Sequence, residues 1–464
     1  MHNINFVRCA YRLRVLTHGT VLPGDLFLAL KGAETDGHNY VVDALERGAV
    51  AAVVCGPATG VDISDGRIVQ VADTTQALAL MAKHARERAP ANIIGVTGSA
   101  GKTSVVQALR QALERVGSTH ASIKSYNNHV GVPLSVARMP RQTRYGIFEI
   151  GMSAAGEVAR GAAIASPDVA VITTIGSAHA ANFTDEASIA AEKANIIDAL
   201  PKGGMAVIGL DHMHGAELLD RARAAGAMAV SVSVLEKADV RPLRMTEHHN
   251  CTCLTADVFG TPVTYKIAQP GREWVLNSLL VLAAVKSVGA DLGQAALALA
   301  SLEAEPGRGR THVINLNHGK ATLLDDSYNA NPLSVKAALR RLSMAPVPID
   351  GKRIAVLADM QELGHKSEEI HLSLMSDLKR FNVSKIIAFG DQMAALGEEA
   401  GVAVERWKDP TESAEGLITQ LRHGDAVMIK GANSASLDKL VESMLEISKD
   451  EIAPLVGHRR RVAH

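Results

Sequence analysis

A glycine-rich segment between an apolar run and a helix-like run constrains this chain of 464 residues more than any other feature. It reads Gly95-Val-Thr-Gly98-Ser-Ala-Gly101-Lys102-Thr103-Ser104, after Ile93-Ile94 and before Val105-Val-Gln-Ala-Leu. A strand, a glycine turn and a helix N-terminus form a cradle in which backbone N–H groups and the helix dipole face an anion. We therefore predict a nucleoside triphosphate site. Its phosphate-binding residues are Gly98, Ser99, Ala100, Gly101, Lys102, Thr103 and Ser104.

The spacing of this segment departs from the ordinary phosphate loop. The residue five positions before Gly101 is Val96, and the glycines stand at 95 and 98 instead. A glycine turn without function is the alternative interpretation, because a short glycine motif alone is a weak signal. The order strand, turn, Lys-Thr-Ser and helix favours the phosphate site.

Composition narrows the fold class. Hydrophobic residues make up 47% of the chain but aromatic residues only 3%, so the cores must be built from aliphatic side chains. Such cores are typical of alternating strands and helices. The formal net charge of −1 argues against a broad nucleic-acid or membrane surface.

The length and the order of motifs predict three α/β domains. We expect a small N-terminal α/β domain over 1–87, a central doubly wound sheet with the phosphate loop over 88–310, and a C-terminal Rossmann-like domain over 311–464. Residues 226–268 alternate like antiparallel strands, and 306–310 resemble a linker. The strand candidates are 25–30, 51–54, 146–150, 169–174, 321–324, 353–357, 385–389 and 426–429, with helices at 41–46 and 277–288.

The cysteines and the N-terminus indicate a reducing compartment. No His or Cys set completes a zinc site around Cys9, Cys55, Cys251 and Cys253, so we expect reduced thiols. The N-terminus lacks an apolar signal core, and no apolar run approaches the ~20 residues of a membrane span. The expected location is the cytoplasm.

Separated motifs elsewhere in the chain carry a family resemblance. They are Asn127-Asn128-His-Val-Gly-Val-Pro, Glu149-Ile-Gly-Met, Gly176-Ser-Ala-His179, Glu192-Lys193-Ala-Asn-Ile, Pro306-Gly-Arg308, Asp325-Asp326-Ser-Tyr-Asn329-Ala-Asn331-Pro332, Asp359-Met-Gln-Glu-Leu-Gly and Lys430-Gly-Ala-Asn-Ser. In this order they resemble the Mur ligases of bacterial cell-wall synthesis. Two of them, Asp-Asp-Ser-Tyr-Asn-Ala-Asn-Pro and Asp-Met-x-Glu-Leu-Gly, resemble the MurF branch, and the resemblance covers roughly residues 21–440.

The resemblance implies an ATP-dependent amide ligase that joins D-alanyl-D-alanine to UDP-MurNAc-tripeptide through an acyl phosphate, with Mg²⁺ as cofactor. It implies a monomer with no nucleic-acid partner and no stable membrane insertion. Two rivals stay open: a ligase of the same type acting on a non-wall carboxylate and amine, and a nucleotide-binding regulator without catalysis.

The same resemblance implies the catalytic residues, which are Lys102, Glu149, His179 and Lys193. Thr103 and Glu149 would hold the metal between the nucleotide phosphates, and His179 would help hold a second Mg²⁺. Lys193 would be carbamylated by CO₂ and support that second metal, which requires a neutral amine and a lowered pKa. Without the motifs, Glu149 would be read as a strand-end carboxylate, and His179 and Lys193 as solvated side chains.

The remaining implied contacts are with nucleotide and substrate. Asn127, Asn128 and Lys31 would contact the sugar-peptide substrate, although an Asn-rich turn is the alternative for the asparagines. Arg308 and Asp326 would reach the nucleotide from the far side. Asn277 and Asn329 would lie near the adenosine.

The chain departs from the family pattern in three places. Gly19 and Thr17 stand where an arginine and an aspartate normally grip the uridine, so uridine recognition is in doubt. Glu273-Trp274 replaces a usual His-Asn pair, and for Trp274 we favour core packing over adenine stacking. Ala358 replaces a glycine, which we expect to be tolerated.

Overall fold

The computed structural model describes residues 12–14, 21–32, 35–58, 60–62, 64–122, 125–177 and 180–450. Within them the chain forms three α/β units, each around its own sheet. This confirms the predicted three-domain α/β architecture. The buried hydrophobic residues are mostly alanine, valine, leucine and isoleucine, as the low aromatic content predicts.

The N-terminal unit is a four-stranded parallel sheet in the order β1-β2-β3-β4. Its helix and second predicted strand occur at the expected residues, whereas the strand expected over 25–30 ends at Leu28. The elements are β1 (Arg12–Arg14), β2 (Asp25–Leu28), α1 (Val41–Glu46), β3 (Ala51–Val54), β4 (Ile68–Gln70) and α2 (Thr74–Arg88).

Helix α2 joins the N-terminal unit to the central one. Its Leu78 and Ala82 side chains are fully buried in a cluster that also contains Leu28 from β2 and Ile93 from the central sheet. The hydrophobic core is therefore continuous across the position where the first domain was expected to end.

The central unit is a nine-stranded sheet in the order β13-β12-β11-β10-β9-β8-β5-β7-β6. Its strands are β5 (Asn92–Thr97), β6 (Thr119–Ala121), β7 (Tyr145–Glu149), β8 (Val169–Ile172), β9 (Met205–Gly209), β10 (Met228–Val232), β11 (Val240–Glu247), β12 (Thr252–Val258) and β13 (Thr261–Ile267). Its helices are α3 (Lys102–Glu114), α4 (Gly131–Ala137), α5 (Glu157–Ala165), α6 (Glu186–Asp198), α7 (Gly215–Ala224), α8 (Arg272–Ser287) and α9 (Leu292–Ala300).

The antiparallel region was predicted one strand too long. Strands β11, β12 and β13 pair antiparallel as expected, but β10 pairs parallel with β9. The expectation for β10 was wrong because its short alternating run extends the parallel sheet.

Strand β5 lies at the point where the strand order reverses. After β5 the chain builds β6 and β7 on one side, then crosses to build β8, β9 and β10 on the other. A crevice opens at the carboxyl end of the central strand at such a switch point, and ligands bind there in doubly wound sheets. The predicted phosphate loop follows β5 directly, so it occupies this crevice.

The C-terminal unit is a six-stranded sheet in the order β14-β15-β19-β16-β17-β18, parallel except for the β14–β15 pair. All four predicted strands are present. The two edge strands were missed because their exposed residues break the buried apolar run that identifies a strand. The strands are β14 (Arg310–Leu316), β15 (Gly319–Asp325), β16 (Arg353–Ala358), β17 (Lys385–Phe389), β18 (Ala403–Arg406) and β19 (Ala426–Lys430). The helices are α10 (Pro332–Met344), α11 (Ser367–Leu372), α12 (Met375–Arg380), α13 (Asp391–Ala400), α14 (Ala414–Gln420) and α15 (Leu437–Asp450).

Candidate active site

Two glycines give the loop after β5 its shape. Gly98 has φ of 148° and Gly101, the N-cap of α3, has φ of 82°, a range that side chains with a Cβ rarely adopt. A Cβ on Gly101 would also lie only 2.7 Å from Oδ1 of Asn277. The glycines therefore stand where the backbone has positive φ angles, which explains their unusual spacing. The N–H groups at the start of α3 face the crevice.

The Lys102 side chain folds back onto the phosphate loop. Its Nζ donates a hydrogen bond of 2.8 Å to the carbonyl oxygen of Gly98. Burial lowers the pKa of the Lys102 ammonium group, the Glu149 carboxylate acts in the opposite direction, and Arg308 adds to the lowering. The cation is thus held over the cradle in which a phosphate would sit.

Three polar side chains converge next to the loop. Thr103 Oγ1 donates to Glu149 Oε2 at 2.8 Å, and Asn127 Nδ2 donates to Glu149 Oε1 at 2.6 Å. Glu149 is the last residue of β7 and is 1% exposed, so its carboxylate is oriented by both neighbours. A hydroxyl and a carboxylate are hard oxygen donors of the kind that Mg²⁺ prefers, so this pair fits the metal.

The described residues contain no group of three or more His, Cys, Asp or Glu side chains arranged to hold a metal. A magnesium ion at Thr103 and Glu149 would take its other ligands from phosphate oxygens and water. That arrangement is typical of Mg²⁺ bound with a nucleotide.

The linker residue Arg308 and residues of the C-terminal unit supply the opposite wall. Arg308 Nη2 donates to Ser125 Oγ at 2.8 Å, and its guanidinium lies 3.9 Å from the ring centroid of Tyr328. Lys430 Nζ donates to the carbonyl oxygen of Asn329 at 2.9 Å and lies 3.7 Å from Asp326 Oδ1. Burial lowers the pKa of Lys430, and Asp326 opposes that effect.

The two walls enclose one cavity of about 500 Å³, within the usual size range of small-molecule sites. It is lined by predicted residues from both sides of the linker: Ser99, Ala100, Gly101, Lys102, Thr103, Ser104, Asn127, Asn128, Glu149, Asn277, Arg308, Asp326 and Asn329. Residues separated widely in the sequence thus face one volume, as a single nucleotide site requires.

Lys193 lies on α6 and is 1% exposed. Burial and the nearby Lys102 ammonium hold the pKa of the Lys193 amine well below its usual value, and Glu192 opposes them only in part. The Glu192 carboxylate accepts hydrogen bonds from the N–H groups of Gly156 and Val158, both at 2.9 Å. The environment therefore favours the neutral amine.

Three family models match the chain. The Mur ligase middle domain matches residues 96–285, the Mur ligase glutamate ligase domain matches 309–433, and the Mur ligase family catalytic domain matches 19–86. The UDP-N-acetylmuramoyl-tripeptide–D-alanyl-D-alanine ligase of Escherichia coli K12 is 32% identical and is aligned over 91% of each chain. The chain belongs to the Mur ligase family, in its MurF branch.

Solved MurF structures share the architecture of this Mur ligase. One MurF structure from Acinetobacter baumannii superposes with a TM-score of 0.80 at 27% identity, over 93% of both chains. MurF from Thermotoga maritima in complex with ADP gives a TM-score of 0.79 at 25% identity, over 95% of this chain and 98% of that one.

Some predicted site residues lie elsewhere in this Mur ligase. Lys31 is in the N-terminal unit, outside the cavity, where its backbone forms an isolated antiparallel β-bridge with that of Asp36. Asn128 lines the cavity but also accepts a hydrogen bond of 2.8 Å from the N–H of Gly131 at the start of α4, so part of its role is that of a turn residue. His179 lies outside the described residues, as do Thr17 and Gly19.

Sequence reasoning assigned no role to several cavity residues. Lys430 ends the buried strand β19 and lines the cavity. Asp325 ends β15 and holds the cavity residue Gly307 by accepting a hydrogen bond of 2.7 Å from its N–H. Their position at strand carboxyl ends was a usable signal. Ser125 carried none, since only folding brings it to Arg308.

The residues that depart from the family pattern differ in their surroundings. Trp274 is 7% exposed within the central core, which confirms the packing prediction, and it also lines the cavity. Ala358 is accommodated because its neighbour is Gly431, where a Cβ would lie only 2.6 Å from the Ala358 methyl. Glu273 lines the cavity, and burial raises its pKa to about 7, with Arg341 opposing.

No helix among the described residues combines the length and the apolar character needed to cross a membrane.

Proposed function

We propose that this chain is an ATP-dependent amide ligase that joins D-alanyl-D-alanine to UDP-MurNAc-tripeptide, giving UDP-MurNAc-pentapeptide, ADP and phosphate in peptidoglycan precursor synthesis. The observation that carries the proposal is the single cavity between Lys102 on one wall and Arg308 and Lys430 on the other. Cations on two sides of an anionic centre are what phosphoryl transfer requires.

In the first step the tripeptide carboxylate attacks the γ-phosphoryl group of ATP. The new O–P bond of the acyl phosphate forms as the bond between the γ-phosphorus and ADP breaks, and ADP leaves. Lys102 and the N–H groups at the start of α3 stabilise the charge on the transferring group, and Arg308 approaches it from the opposite wall. Thr103 and Glu149 would hold Mg²⁺, which would neutralise charge on the phosphates. Asn127 fixes the orientation of Glu149 through its hydrogen bond of 2.6 Å.

The second step is attack of the D-alanyl-D-alanine amine on the acyl phosphate. The C–N bond forms as the C–O bond to phosphate breaks, and the amine loses a proton. An acyl phosphate is hydrolysed if water reaches it, so enclosure by the C-terminal unit protects the intermediate. The contact between Asn331 and the loop, at 3.1 Å, supports such enclosure.

Substrate roles follow from the same arrangement. Asn277 and Asn329 are proposed to lie near the adenosine, and Arg308 and Asp326 to reach the nucleotide from the far side, since all four line the cavity. Lys31, Asn127 and Asn128 are proposed to contact the sugar-peptide substrate. The units over 1–87, 88–310 and 311–464 are proposed as the functional domains, and the protein as a cytoplasmic monomer.

Lys193 is proposed to be carbamylated. Its neutral amine would add to CO₂, form an N–C bond and release one proton, which gives an anion beside the Lys102 cation. Its burial and lowered pKa support the proposal, because only the neutral amine reacts. With His179, this anion would support a second Mg²⁺.

The deciding experiment measures phosphate release from ATP with both substrates present and with each one omitted. Release that requires both substrates, with the pentapeptide product identified by mass spectrometry, is the expected result. Release that requires other acid and amine pairs would indicate a ligase outside wall synthesis. No release, with nucleotide binding intact, would indicate a regulator and contradict the proposal.

A further inference from the structure

A leucine of the C-terminal unit fills the space where a side chain of Gly176 would stand. Gly176 is a buried residue of the loop that follows β8 in the central unit. Leu333 is the second residue of α10. A Cβ on Gly176 would lie 3.0 Å from Leu333 Cγ, 3.6 Å from Leu333 Cδ2 and closer still to Leu333 Cδ1. The three nearest heavy atoms to such a Cβ thus all belong to Leu333, 157 positions later in the chain.

The backbone of Gly176 does not itself require glycine. Its φ angle lies outside the left-handed range, so other residues could adopt the same conformation. Glycine also loses more conformational freedom on folding than any other residue, which makes it a costly choice where φ does not demand it. The feature that does exclude a side chain is the contact with Leu333.

Gly176 is bonded to the phosphate loop as well. Ser99 Oγ donates a hydrogen bond of 2.8 Å to the carbonyl oxygen of Gly176, and the N–H of Gly176 donates one of 3.0 Å to Ser99 Oγ. Ser99 is 6% exposed and lines the nucleotide cavity. Leu333 therefore packs on the residue that holds the side chain of Ser99.

Two polar contacts flank this apolar one. Asn331 Nδ2 donates to the carbonyl oxygen of Ser99 at 3.1 Å, two residues before Leu333. Further along the loop after β8, the N–H of Ala181 donates to the carbonyl oxygen of Glu362 in the C-terminal unit at 2.8 Å. The loop after β8 and the phosphate loop are thus held together against the C-terminal unit, with Leu333 between the two polar contacts.

We propose that Gly176 and Leu333 are positioning residues for the nucleotide. Leu333 seated on Gly176 sets how closely α10 approaches the phosphate loop, and so sets the width of the cavity between the two units. The sizes of the two side chains are coupled: a larger residue at 176 requires a smaller one at 333. The proposal rests on the proposed function in taking ATP as the nucleotide, whereas the packing of the pair does not depend on which reaction follows.

The test is a double-mutant cycle on the full chain. Calorimetry measures the Kd of a non-hydrolysable ATP analogue for the parent chain, Gly176→Ala, Leu333→Ala and the double variant. Gly176→Ala should weaken binding about tenfold, because its methyl group displaces Leu333 and with it α10. Leu333→Ala alone should weaken binding by less than about threefold, and adding Gly176→Ala to it should weaken binding no further, because the obstructing atoms are gone.

Two results would overturn the proposal. If Gly176→Ala weakened binding equally with leucine or alanine at position 333, the methyl group would act through Ser99 and not through Leu333. If Gly176→Ala bound the analogue as the parent does, the contact would set nothing. Gly56→Ala is the matched control, since a Cβ on Gly56 would meet nothing within 4 Å and its φ is also outside the left-handed range.

Turnover separates positioning from damage to the site. Gly176→Ala should raise the KM for ATP about tenfold and leave kcat within about threefold of the parent value, because saturating ATP draws the two units together. A fall in kcat with unchanged KM would overturn the proposal. A chain that binds the analogue but forms no product would contradict the proposed function and leave the binding cycle readable.

Small-angle scattering measures the same coupling without nucleotide. The radius of gyration should be larger for Gly176→Ala than for the parent chain, and Gly176→Ala should add no increase in the Leu333→Ala background. Equal radii together with equal affinities for Gly176→Ala and the parent would overturn the proposal, whatever reaction the chain performs.

Discussion

The side-chain amide of Asn331 donates a hydrogen bond of 3.1 Å to the backbone carbonyl of Ser99, 232 positions earlier in the chain. Asn331 also caps α10, since its Oδ1 accepts from the N–H of Ser334 at 2.9 Å. One side chain therefore starts a helix of the C-terminal unit and fixes that helix on the phosphate loop. The hydrogen bond therefore fixes the position of α10 relative to the loop that would hold the phosphates.

Replacing Lys102 by alanine removes the cation above the loop. We expect the rate of phosphate release to fall by about 10²–10³, as it does when one group that stabilises a transition state is removed. The thermal unfolding midpoint should not fall, because Lys102 is a cation in a desolvating site. Lys202→Ala, at an exposed position, is the control and should keep full activity. Normal turnover in Lys102→Ala would refute the phosphate-loop assignment.

Replacing Lys193 by alanine removes the proposed carbamate. Activity should fall by at least about 10² and return in part with added acetate, since the missing group is an anion. Lys193→Arg should be inactive as well, because arginine stays positively charged. Labelled bicarbonate should give a carbamate NMR signal that is absent from both variants. Lys286→Arg, on the exposed side of α8, serves as control; full activity in Lys193→Arg would contradict the carbamate.

Glu273 should make stability depend on pH. Its pKa is raised from 4.5 to about 7, chiefly by burial, so ionisation destabilises the folded chain as pH rises through this range. Glu273→Gln should therefore be more stable than the parent chain at about pH 8, by about 1–3 kcal/mol, and equal to it at about pH 4.5.

Denaturant titrations at the two pH values measure this difference. Glu412→Gln, at an exposed position, should show no such pH dependence. A stability gain for Glu273→Gln of the same size at both pH values would mean that packing, not charge, is responsible.

Gly307 should not tolerate a side chain. Its φ is 72°, and a Cβ there would lie 2.9 Å from the backbone nitrogen of Tyr328. Gly307→Ala should destabilise the chain by about 1–3 kcal/mol and raise the KM for ATP, because it displaces the neighbouring Arg308. Gly66→Ala, where a Cβ meets nothing within 4 Å, is the matched control. An unchanged KM for ATP would contradict a role of the linker in nucleotide binding.

Sequence patterns predicted the parts of the fold that depend on local information. The buried strands β5, β7, β16, β17 and β19 are short apolar runs, and their helices follow from the parallel crossovers that join them. The phosphate loop was predictable because Gly98 and Gly101 mark positive φ angles immediately before a helix.

Other features depend on tertiary contacts and have little signal in the local sequence. The edge strands β14 and β18 are largely exposed and lack a buried run. The pairing of Arg308 with Ser125 links positions 183 residues apart, so only the docking of two sheets creates it. The raised pKa of Glu273 likewise arises from burial between α8 and the C-terminal unit, not from its sequence neighbours.

The scarcity of aromatic residues gives the molecule an intrinsic optical reporter. The chain has two tryptophans. Trp407 packs edge-on against Phe389 in the C-terminal core, with ring centroids 6.1 Å apart, while Trp274 lines the nucleotide cavity. Replacing Trp407 by phenylalanine would leave one tryptophan, on the wall of the cavity. The emission of that single indole would follow the filling and emptying of the site in real time, without a label.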